Sequence, residues 1–301
     1  DNTLCYNNIT FTGRRMIEGS PYFLKEPTII SFSGGRTSAY LLYKVIQAHG
    51  GTLPDYVYPV FANTGKEMPQ TLEFVNDCSN HWGIKIYWME LYNIIEDGKG
   101  PTENDKKWMF KYKETDYENC STKGEPFELV INHYNKLPNP TNRFCTYLLK
   151  QRAITWFERT KGLKNPDQLL GLRYDEPHRV NRIKKRDIKQ DKLCPLYNEK
   201  VTKETIKDFW DSSNFDLKLK VVNGHAVLGN CDMCFLKGKK QTISIMKSRP
   251  ELSNWWIEQE KKTGKTFRFD IPVIDLLDKS KTEQSLDLFE HDESLDCFCT
   301  D

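Results

Sequence analysis

Residues 33–38 constrain the fold and the function of this chain more than any other segment. They read Ser-Gly-Gly-Arg-Thr-Ser and directly follow the β-branched apolar run 28–32, which predicts a buried strand. Residues 39–47 carry apolar side chains at helical spacing and predict a helix. A strand, a glycine turn and a helix in this order direct N–H groups at one point, which suits a phosphate or pyrophosphate. The alternative is an ordinary turn before a serine-capped helix.

The side chains of this loop fit an anion site. Gly34 and Gly35 let the backbone approach a ligand without a Cβ atom. Hydroxyl groups for capping or for the anion come from Ser33, Thr37 and Ser38. No Gly-x4-Gly-Lys-Ser/Thr segment occurs in the chain, so the loop is not a Walker A loop.

Strands and helices alternate along the chain. Further strands are predicted at 56–62, 85–89 and 168–172, and further helices at 71–82, 145–160 and 202–212, the last capped by Thr202. Alternation of this kind predicts an α/β fold with a parallel sheet and right-handed crossovers. Ligands of such sheets bind at the carboxyl ends of the strands, where the 33–38 loop and the turn Asn63-Thr64-Gly65 would lie. Residues 98–140 predict surface helices and loops.

Residues 173–192 predict a basic loop, because they hold eight Lys or Arg against four Asp or Glu and few large apolar residues. Within it, Arg173 and Arg179 present permanently charged, planar groups that suit phosphate or sulfate. The alternative is that they pair with Asp175 and Glu176 and leave a solvated loop.

Composition places the chain among globular proteins. Its 301 residues suffice for one large core, and its net charge of +2 marks no obvious polyanion binder. No apolar run reaches the roughly 18 residues of a membrane span, and no signal peptide is visible. We therefore expect a cytoplasmic protein with no membrane partner.

Nine cysteines are present, and two pairs are closely spaced. Cys231-x2-Cys234 has the spacing of two thiolate ligands on one turn, and Cys297-x-Cys299 lies at the end of the chain. Without a secretion signal, this pattern favours metal or redox chemistry over disulfides. Zinc, a four-iron cluster and a pair of plain buried thiols remain open. The candidates for the remaining ligands are Cys145, Cys194, Cys297 and Cys299.

The 33–38 loop resembles the PP-loop of the adenine-nucleotide alpha-hydrolase superfamily, with Arg36-Thr37 where the usual loop has Lys-Asp. From about residue 28 to the C-terminus the chain is similar to the PAPS reductase family of bacteria and phages. The motifs that carry this similarity are Arg143-Phe144-Cys145-Thr146-x3-Lys150, Leu170-Gly171-Leu172-Arg173-x-Asp175-Glu176-Pro177-x-Arg179-Val180, Pro195-Leu196, Phe209-Trp210, Gly229-Asn230-Cys231-Asp232-x-Cys234-Phe235-Leu236-Lys237 and Cys297-Phe298-Cys299.

The resemblance implies an architecture and a set of sites. It implies an N-terminal extension (1–26), a Rossmann-like PP-loop domain (27–218) and a smaller C-terminal cysteine-containing lobe (219–301). ATP or another adenine nucleotide, with Mg²⁺, would bind at Ser33, Gly34, Gly35, Arg36, Thr37, Ser38, Asn63, Thr64 and Gly65, and its anionic groups would meet Arg173 and Arg179. A [4Fe-4S] cluster, or zinc instead, would be held by Cys145, Cys231, Cys234 and Cys297. Cys299 would be the catalytic thiol.

Three functions follow from these features. The first is ATP-dependent, adenylating sulfur transfer to a nucleic-acid or nucleotide acceptor, aided by a sulfur donor or reductant protein. The second is a sulfonucleotide (PAPS or APS) reductase that releases sulfite. Since the chain has no Glu-Cys-Gly-Leu/Ile-His segment, which carries the catalytic cysteine of such reductases, we favour the first. The third is a non-enzymatic, zinc-knotted protein that binds nucleic acid or a partner. A homodimer is compatible with each.

Overall fold

The computed structural model describes residues 16–96, 98–102, 108–186, 192–219, 221–222, 225–226, 229 and 231–282. Its central sheet has six strands: β1 (Thr28–Phe32), β2 (Val57–Asn63), β3 (Tyr87–Ile94), β4 (Phe110–Thr115), β5 (Asp167–Leu170) and β6 (Lys192–Leu193). Their spatial order is β4-β3-β2-β1-β5-β6, and only β4 runs antiparallel to its neighbour. A separate small hairpin pairs β7 (Val221–Val222) with β8 (His225–Ala226).

Ten α-helices accompany these strands in the described residues. They are α1 (Arg36–Ala48), α2 (Pro69–Trp82), α3 (Glu125–Tyr134), α4 (Arg152–Thr160), α5 (Pro177–Arg186), α6 (Pro195–Asn198), α7 (Lys203–Asp211), α8 (Lys239–Ser248), α9 (Ser253–Thr263) and α10 (Val273–Thr282). A π-helical segment, Thr146–Gln151, leads into α4, and a 3-10 turn, Pro250–Leu252, precedes α9. None of the described helices is long and apolar enough to cross a membrane.

The sheet is buried on both faces, because alternate side chains of its strands enter two different clusters. Ile29 and Val60 pack with α3, α4 and the C-terminal helices α8–α10. Ile30 and Phe61 pack on the opposite face with α1, α2 and α7. The result is a three-layer α/β fold with a mostly parallel sheet, which confirms the predicted α/β class. The PP-loop character of the domain stays a prediction.

Two sequence predictions about local structure were wrong. Residues 98–140 contain β4, an antiparallel edge strand, besides the expected helix and loops. The predicted basic loop contains the helix α5, whose Val180 and Ile183 pack with Leu172 and Cys194 in a small separate cluster. Two apolar residues suffice to pack this helix on the fold, because the cluster buries only one narrow side of it.

The predicted boundaries of the C-terminal lobe and the N-terminal extension stay predictions. In the described residues, α8–α10 share one apolar cluster with the sheet and with α3 and α4. From the predicted extension, Tyr22 and Leu24 are buried against the other face, and the backbone N–H of Leu24 donates to His49 Nε2 at 3.0 Å.

Candidate functional site

The order of the sheet changes direction at β1, and the region at the carboxyl ends of β1 and β5 is here called the crevice. The chain runs outward from β1 through β2 to β3, and later places β5 on the other side of β1. The carboxyl ends of β1 and β5 are therefore a topological switch point, the usual position of ligands in open α/β sheets. The 33–38 loop follows β1, and Gly171 to Arg173 follow β5.

The loop after β1 has the geometry of an anion cradle. Gly34 has a φ of +83°, and a Cβ there would stand 2.8 Å from Thr71 Cγ2, so only glycine fits. Gly35 is the N-cap of α1 with extended backbone, and the first turn carries no acidic residue. The hydroxyl of Ser38 closes the loop, since it accepts from the Ser33 N–H at 3.2 Å and donates to the Gly35 carbonyl at 3.0 Å. The positive end of the α1 dipole is thus available to an anion.

Arg173 joins the two sides of the crevice. Its buried guanidinium donates through Nη1 to Thr37 Oγ1 at 3.1 Å and through Nε to Asp175 Oδ1 at 3.1 Å. Arg179 is also buried and forms an ion pair with Glu176. The arginines therefore do pair with the neighbouring carboxylates, as the alternative predicted, and Arg173 in addition lies against the loop.

Lys203, which the sequence analysis missed, strengthens the positive charge here. It begins α7, and its pKa is lowered, first by burial and then by the nearby charge of Arg173. Asp175 and Glu204 act in the opposite direction and raise that pKa, so carboxylates nearby offset part of the charge of Lys203 and Arg173. No motif marks Lys203 in the sequence, because it follows the N-cap Thr202 as an ordinary first helical residue.

Arg36 does not direct its side chain at the loop. Its guanidinium forms an ion pair with Asp216, with Nε 2.8 Å from Oδ1, and its carbonyl accepts from Trp210 Nε1 at 3.0 Å. The side chain therefore ties α1 to the segment after α7. Of the contribution predicted for Arg36 in nucleotide binding, only that of its backbone N–H at the start of α1 remains.

The turn after β2 is held by buried polar contacts. Asn63 Nδ2 donates to Glu90 Oε2 at 2.8 Å, and its Oδ1 accepts from the Gly65 N–H at 3.0 Å. The backbone N–H and the hydroxyl of Thr64 both donate to the buried carboxylate of Glu67, at 3.0 and 2.8 Å. All three predicted residues of this turn thus lie in one rigid unit beside the loop after β1.

A second pocket opens from this turn. Three cysteines, Cys145, Cys231 and Cys234, line it together with Thr64 and Lys150, and its apolar wall consists of Phe127, Phe235, Leu236 and Trp256. Thr64 Oγ1 lies 3.5 Å from Cys231 Sγ. Burial raises the pKa of the Cys231 thiol, Glu67 raises it further, and the charge of Lys150 lowers it. The structure therefore brings together the three cysteines that the resemblance grouped.

A buried ion pair fastens the Cys231–Cys234 turn to the turn after β2. Lys66 Nζ lies 2.8 Å from Asp232 Oδ2, and the Asp232 N–H donates to the Lys66 carbonyl at 2.8 Å. The other carboxylate oxygen of Asp232 accepts from Trp256 Nε1 at 2.8 Å. Sequence reasoning missed this pair, although Asp232 lies inside the Cys-x2-Cys motif and Lys66 directly follows the predicted turn.

The donor types of the pocket fit a thiolate-bound metal group, but their spacing here does not fit a single ion. Within the described ranges, no three His, Cys, Asp or Glu side chains are arranged to hold a metal ion. The space between the walls, about 20 Å³, is about that of one water molecule. A closed zinc site needs four ligands about 2.0–2.3 Å from one ion. Cluster ligands bind separate irons and stand farther apart, so a cluster requires these walls to move outward.

The other predicted cysteines do not complete this pocket. Cys194 is buried in the small cluster with Leu172, Val180 and Ile183, in a different part of the fold. Cys297 and Cys299 lie outside the described residues. The predictions of a fourth ligand and of a catalytic thiol at these two positions stay predictions.

The chain is similar to two proteins whose names state no activity. No protein-family model matches the chain. The chain is 29% identical over 214 residues to the uncharacterized nin region protein ORF290 of Escherichia phage lambda, covering 71% of this chain and 67% of that protein. It is 34% identical over 87 residues to the uncharacterized protein MJ0066 of Methanocaldococcus jannaschii, covering 28% of this chain and 17% of that protein. The archaeal similarity therefore concerns one segment only.

Proposed function

We propose that this chain is a PP-loop enzyme that activates an acceptor oxygen with ATP and replaces that oxygen by sulfur. The observation that carries the proposal is the position of Thr64, which belongs to the turn after β2 and also contacts Cys231. Because β1 and β2 are paired neighbours, this turn lies beside the loop after β1. A candidate nucleotide site and a pocket of three thiols thus share one edge of the sheet.

The chemistry balances without an external oxidant. An acceptor oxygen attacks the α-phosphorus of ATP, the bond from that phosphorus to the bridging oxygen breaks, and pyrophosphate leaves with Mg²⁺. Hydrosulfide, the proposed sulfur donor, then attacks the activated atom of the acceptor. The bond from this atom to oxygen breaks, AMP leaves with that oxygen, and sulfur stays on the acceptor. No atom changes its oxidation state when sulfur enters as sulfide.

The residues of the crevice supply binding and charge for these steps. The N-terminus of α1 and the glycine loop offer N–H groups to phosphate oxygens. Arg173, anchored by Thr37, is placed to stabilise the negative charge that grows on the leaving pyrophosphate. Arg179 is paired with Glu176, and Lys203 adds a further positive charge near Arg173, which favours an anionic substrate.

The cysteine pocket supplies the sulfur side of the reaction. Its apolar wall limits access of water, and Lys150 offsets the negative charge of thiolates or of an incoming sulfide. When bound by Cys145, Cys231 and Cys234, with Cys297 as fourth ligand, a four-iron cluster would supply sulfur-holding chemistry there. The adenylation step is independent of that group.

The test is an anaerobic assay of the chain with Mg-ATP, sulfide and bulk RNA or DNA, in which AMP and pyrophosphate are measured. The proposal predicts equal amounts of AMP and pyrophosphate, formed only when the acceptor is present. A parallel reaction replaces ATP by PAPS and measures sulfite. Sulfite release with dithiol, without acceptor-dependent release of pyrophosphate from ATP, would contradict the proposal and establish a sulfonucleotide reductase.

A further inference from the structure

An exposed aromatic ring, Tyr174, packs on the half-buried ring of Tyr197 beside Arg173. Tyr174 directly follows Arg173, and its side chain is 46% exposed. Its ring lies 5.5 Å from that of Tyr197, centroid to centroid, at an angle of 41°. The backbone of Tyr174 is fixed as well, since its N–H donates to the Val201 carbonyl at 2.8 Å. A large aromatic ring is therefore held at the surface, one residue from the candidate phosphate site.

A basic helix begins three residues after this ring. The sequence of α5, Pro-His-Arg-Val-Asn-Arg-Ile-Lys-Lys-Arg, contains five Lys or Arg and no Asp or Glu. Val180 and Ile183 face the small core, whereas His178 and Arg182, four residues apart, share the exposed side. Glu176 pairs with Arg179 and offsets that one charge of α5, whereas Asp175 pairs with Arg173, which precedes the helix. The helix therefore keeps an excess of positive charge.

This combination selects a particular class of ligand. A basic helix attracts any polyanion, but an exposed ring beside it gains only from a flat group that can lie on it. Bases of single strands are free to stack in this way, while bases of a duplex are occupied by their neighbours. A small anion could bind to the basic helix, but it would make no contact that requires the exposed ring.

We propose that Tyr174, Tyr197 and the exposed side of α5, here called the Tyr174 surface, bind single-stranded nucleic acid. This inference rests on the proposed function, because it names the class of acceptor that the crevice serves. One base stacks on Tyr174, and an adjoining phosphate lies at Arg182. The strand then passes the crevice with its sugar–phosphate and base oxygens close to the activated nucleotide.

The test is a binding titration, followed by fluorescence anisotropy, with labelled 12-nucleotide single strands of DNA and of RNA and with the matching duplex. We expect the single strands to bind more tightly than the duplex. Tyr174→Ala should weaken single-strand binding about 5- to 150-fold, the effect of removing one base stack. Tyr174→Phe keeps the ring and should bind like the parent. Arg182→Gln should lower the slope of log K against log salt by about 0.7.

Matched controls separate this surface from general charge and from misfolding. Tyr134 is 42% exposed and packs on Phe110 of β4, at the opposite edge of the sheet, so Tyr134→Ala should bind like the parent. Thermal unfolding of each variant verifies its fold. The proposal would be overturned if duplex and single strand bound equally well and Tyr174→Ala changed neither affinity. It would also be overturned by a Tyr174→Ala variant that loses affinity for ATP alone, since the Tyr174 ring would then stack on the adenine of the nucleotide.

The same titrations distinguish this inference from the proposed function. A parent protein that binds single strands through Tyr174 but releases no pyrophosphate contradicts the sulfur-transfer reaction and leaves the surface in place. The Tyr174 surface would be contradicted if the protein released pyrophosphate only with a mononucleotide acceptor and the Tyr174→Ala variant did so equally well. DNA and RNA are compared in separate arms, because stacking and phosphate contacts are common to both.

Discussion

Among single residues, the proposed anion site of the crevice depends most on Arg173. Its guanidinium contacts Thr37 on one side and Asp175 on the other, so its position is set before any ligand binds. The Nε–Nη2 edge of its planar group pairs with Asp175, so a bound phosphate would share or displace that contact. A lysine ammonium offers no such planar edge to two oxygens.

We therefore predict that Arg173→Ala weakens ATP binding roughly 10- to 150-fold, equivalent to about 1.5–3 kcal/mol for a charged hydrogen-bonded contact. Arg173→Lys should already lose part of the affinity. Calorimetric titration measures both effects, and Arg249→Ala is the control, because Arg249 pairs only with exposed Glu251 in the described structure. If both Arg173 variants bind ATP like the Arg249 variant, Arg173 serves only to hold Thr37 and Asp175.

Two buried cysteines, one in the pocket and one elsewhere in the core, offer a matched pair of substitutions. Cys234 lines the pocket, whereas Cys194 packs in the small cluster below α5. We predict that Cys234→Ser removes most of the iron and of the broad visible absorption from anaerobically purified protein, and that Cys194→Ser removes neither. Iron and acid-labile sulfide analysis measures this. Full iron content in the Cys234 variant would refute the assignment of the ligands, and loss in the Cys194 variant would place the site elsewhere.

At the scale of elements, the strand–loop–helix unit could be predicted from sequence because its signals are local. The apolar run of β1, the two glycines and the spacing in α1 each follow from neighbours in the chain. The helix α5 could not be recognised in this way, since Val180 and Ile183 are the only apolar side chains among its described ones that reach a core. The edge strand β4 was missed because two Lys and one Glu in its six residues dilute the apolar signal, although Lys113 pairs with Glu90 of β3 in the fold.

The contact between the turn after β2 and the Cys231–Cys234 turn could not be predicted from the sequence. Lys66 and Asp232 are 166 positions apart, and their contact depends on how α8–α10 dock on the sheet. Because both side chains are buried, removal of one leaves the other charge without compensation. We predict that Asp232→Ala lowers the free energy of unfolding by about 3–5 kcal/mol.

The matched control is Glu128→Ala, since Glu128 pairs with Lys262 at the surface, where such pairs contribute about 0–1 kcal/mol. Urea unfolding of the metal-free proteins compares the two. If the Asp232 variant is no less stable than the Glu128 variant, the ion pair does not fasten the two turns.

At the scale of the whole molecule, the fold brings its chemistry to one edge of a two-faced sheet. The loops after β1, β2 and β5 meet there, and the helices α8–α10 carry the Cys231–Cys234 turn to the same edge through a core shared with the sheet. Sequence reasoning placed the glycine loop and grouped three of the cysteines. It did not show that Arg36 turns away toward Asp216 while Arg173 approaches the loop, because both are long-range contacts.

The proposed function depends above all on one claim: the loop after β1 binds ATP through its phosphates. Gly35 offers the sharpest test, because its extended backbone at the N-cap of α1 accepts Asn or Asp, two favoured N-cap residues, without strain. The two variants differ in charge and hardly in shape. ATP titration by calorimetry should show Gly35→Asp binding at least about tenfold more weakly than Gly35→Asn, since a carboxylate would face the phosphates. Equal ATP affinity in the two variants and the parent would contradict the claim.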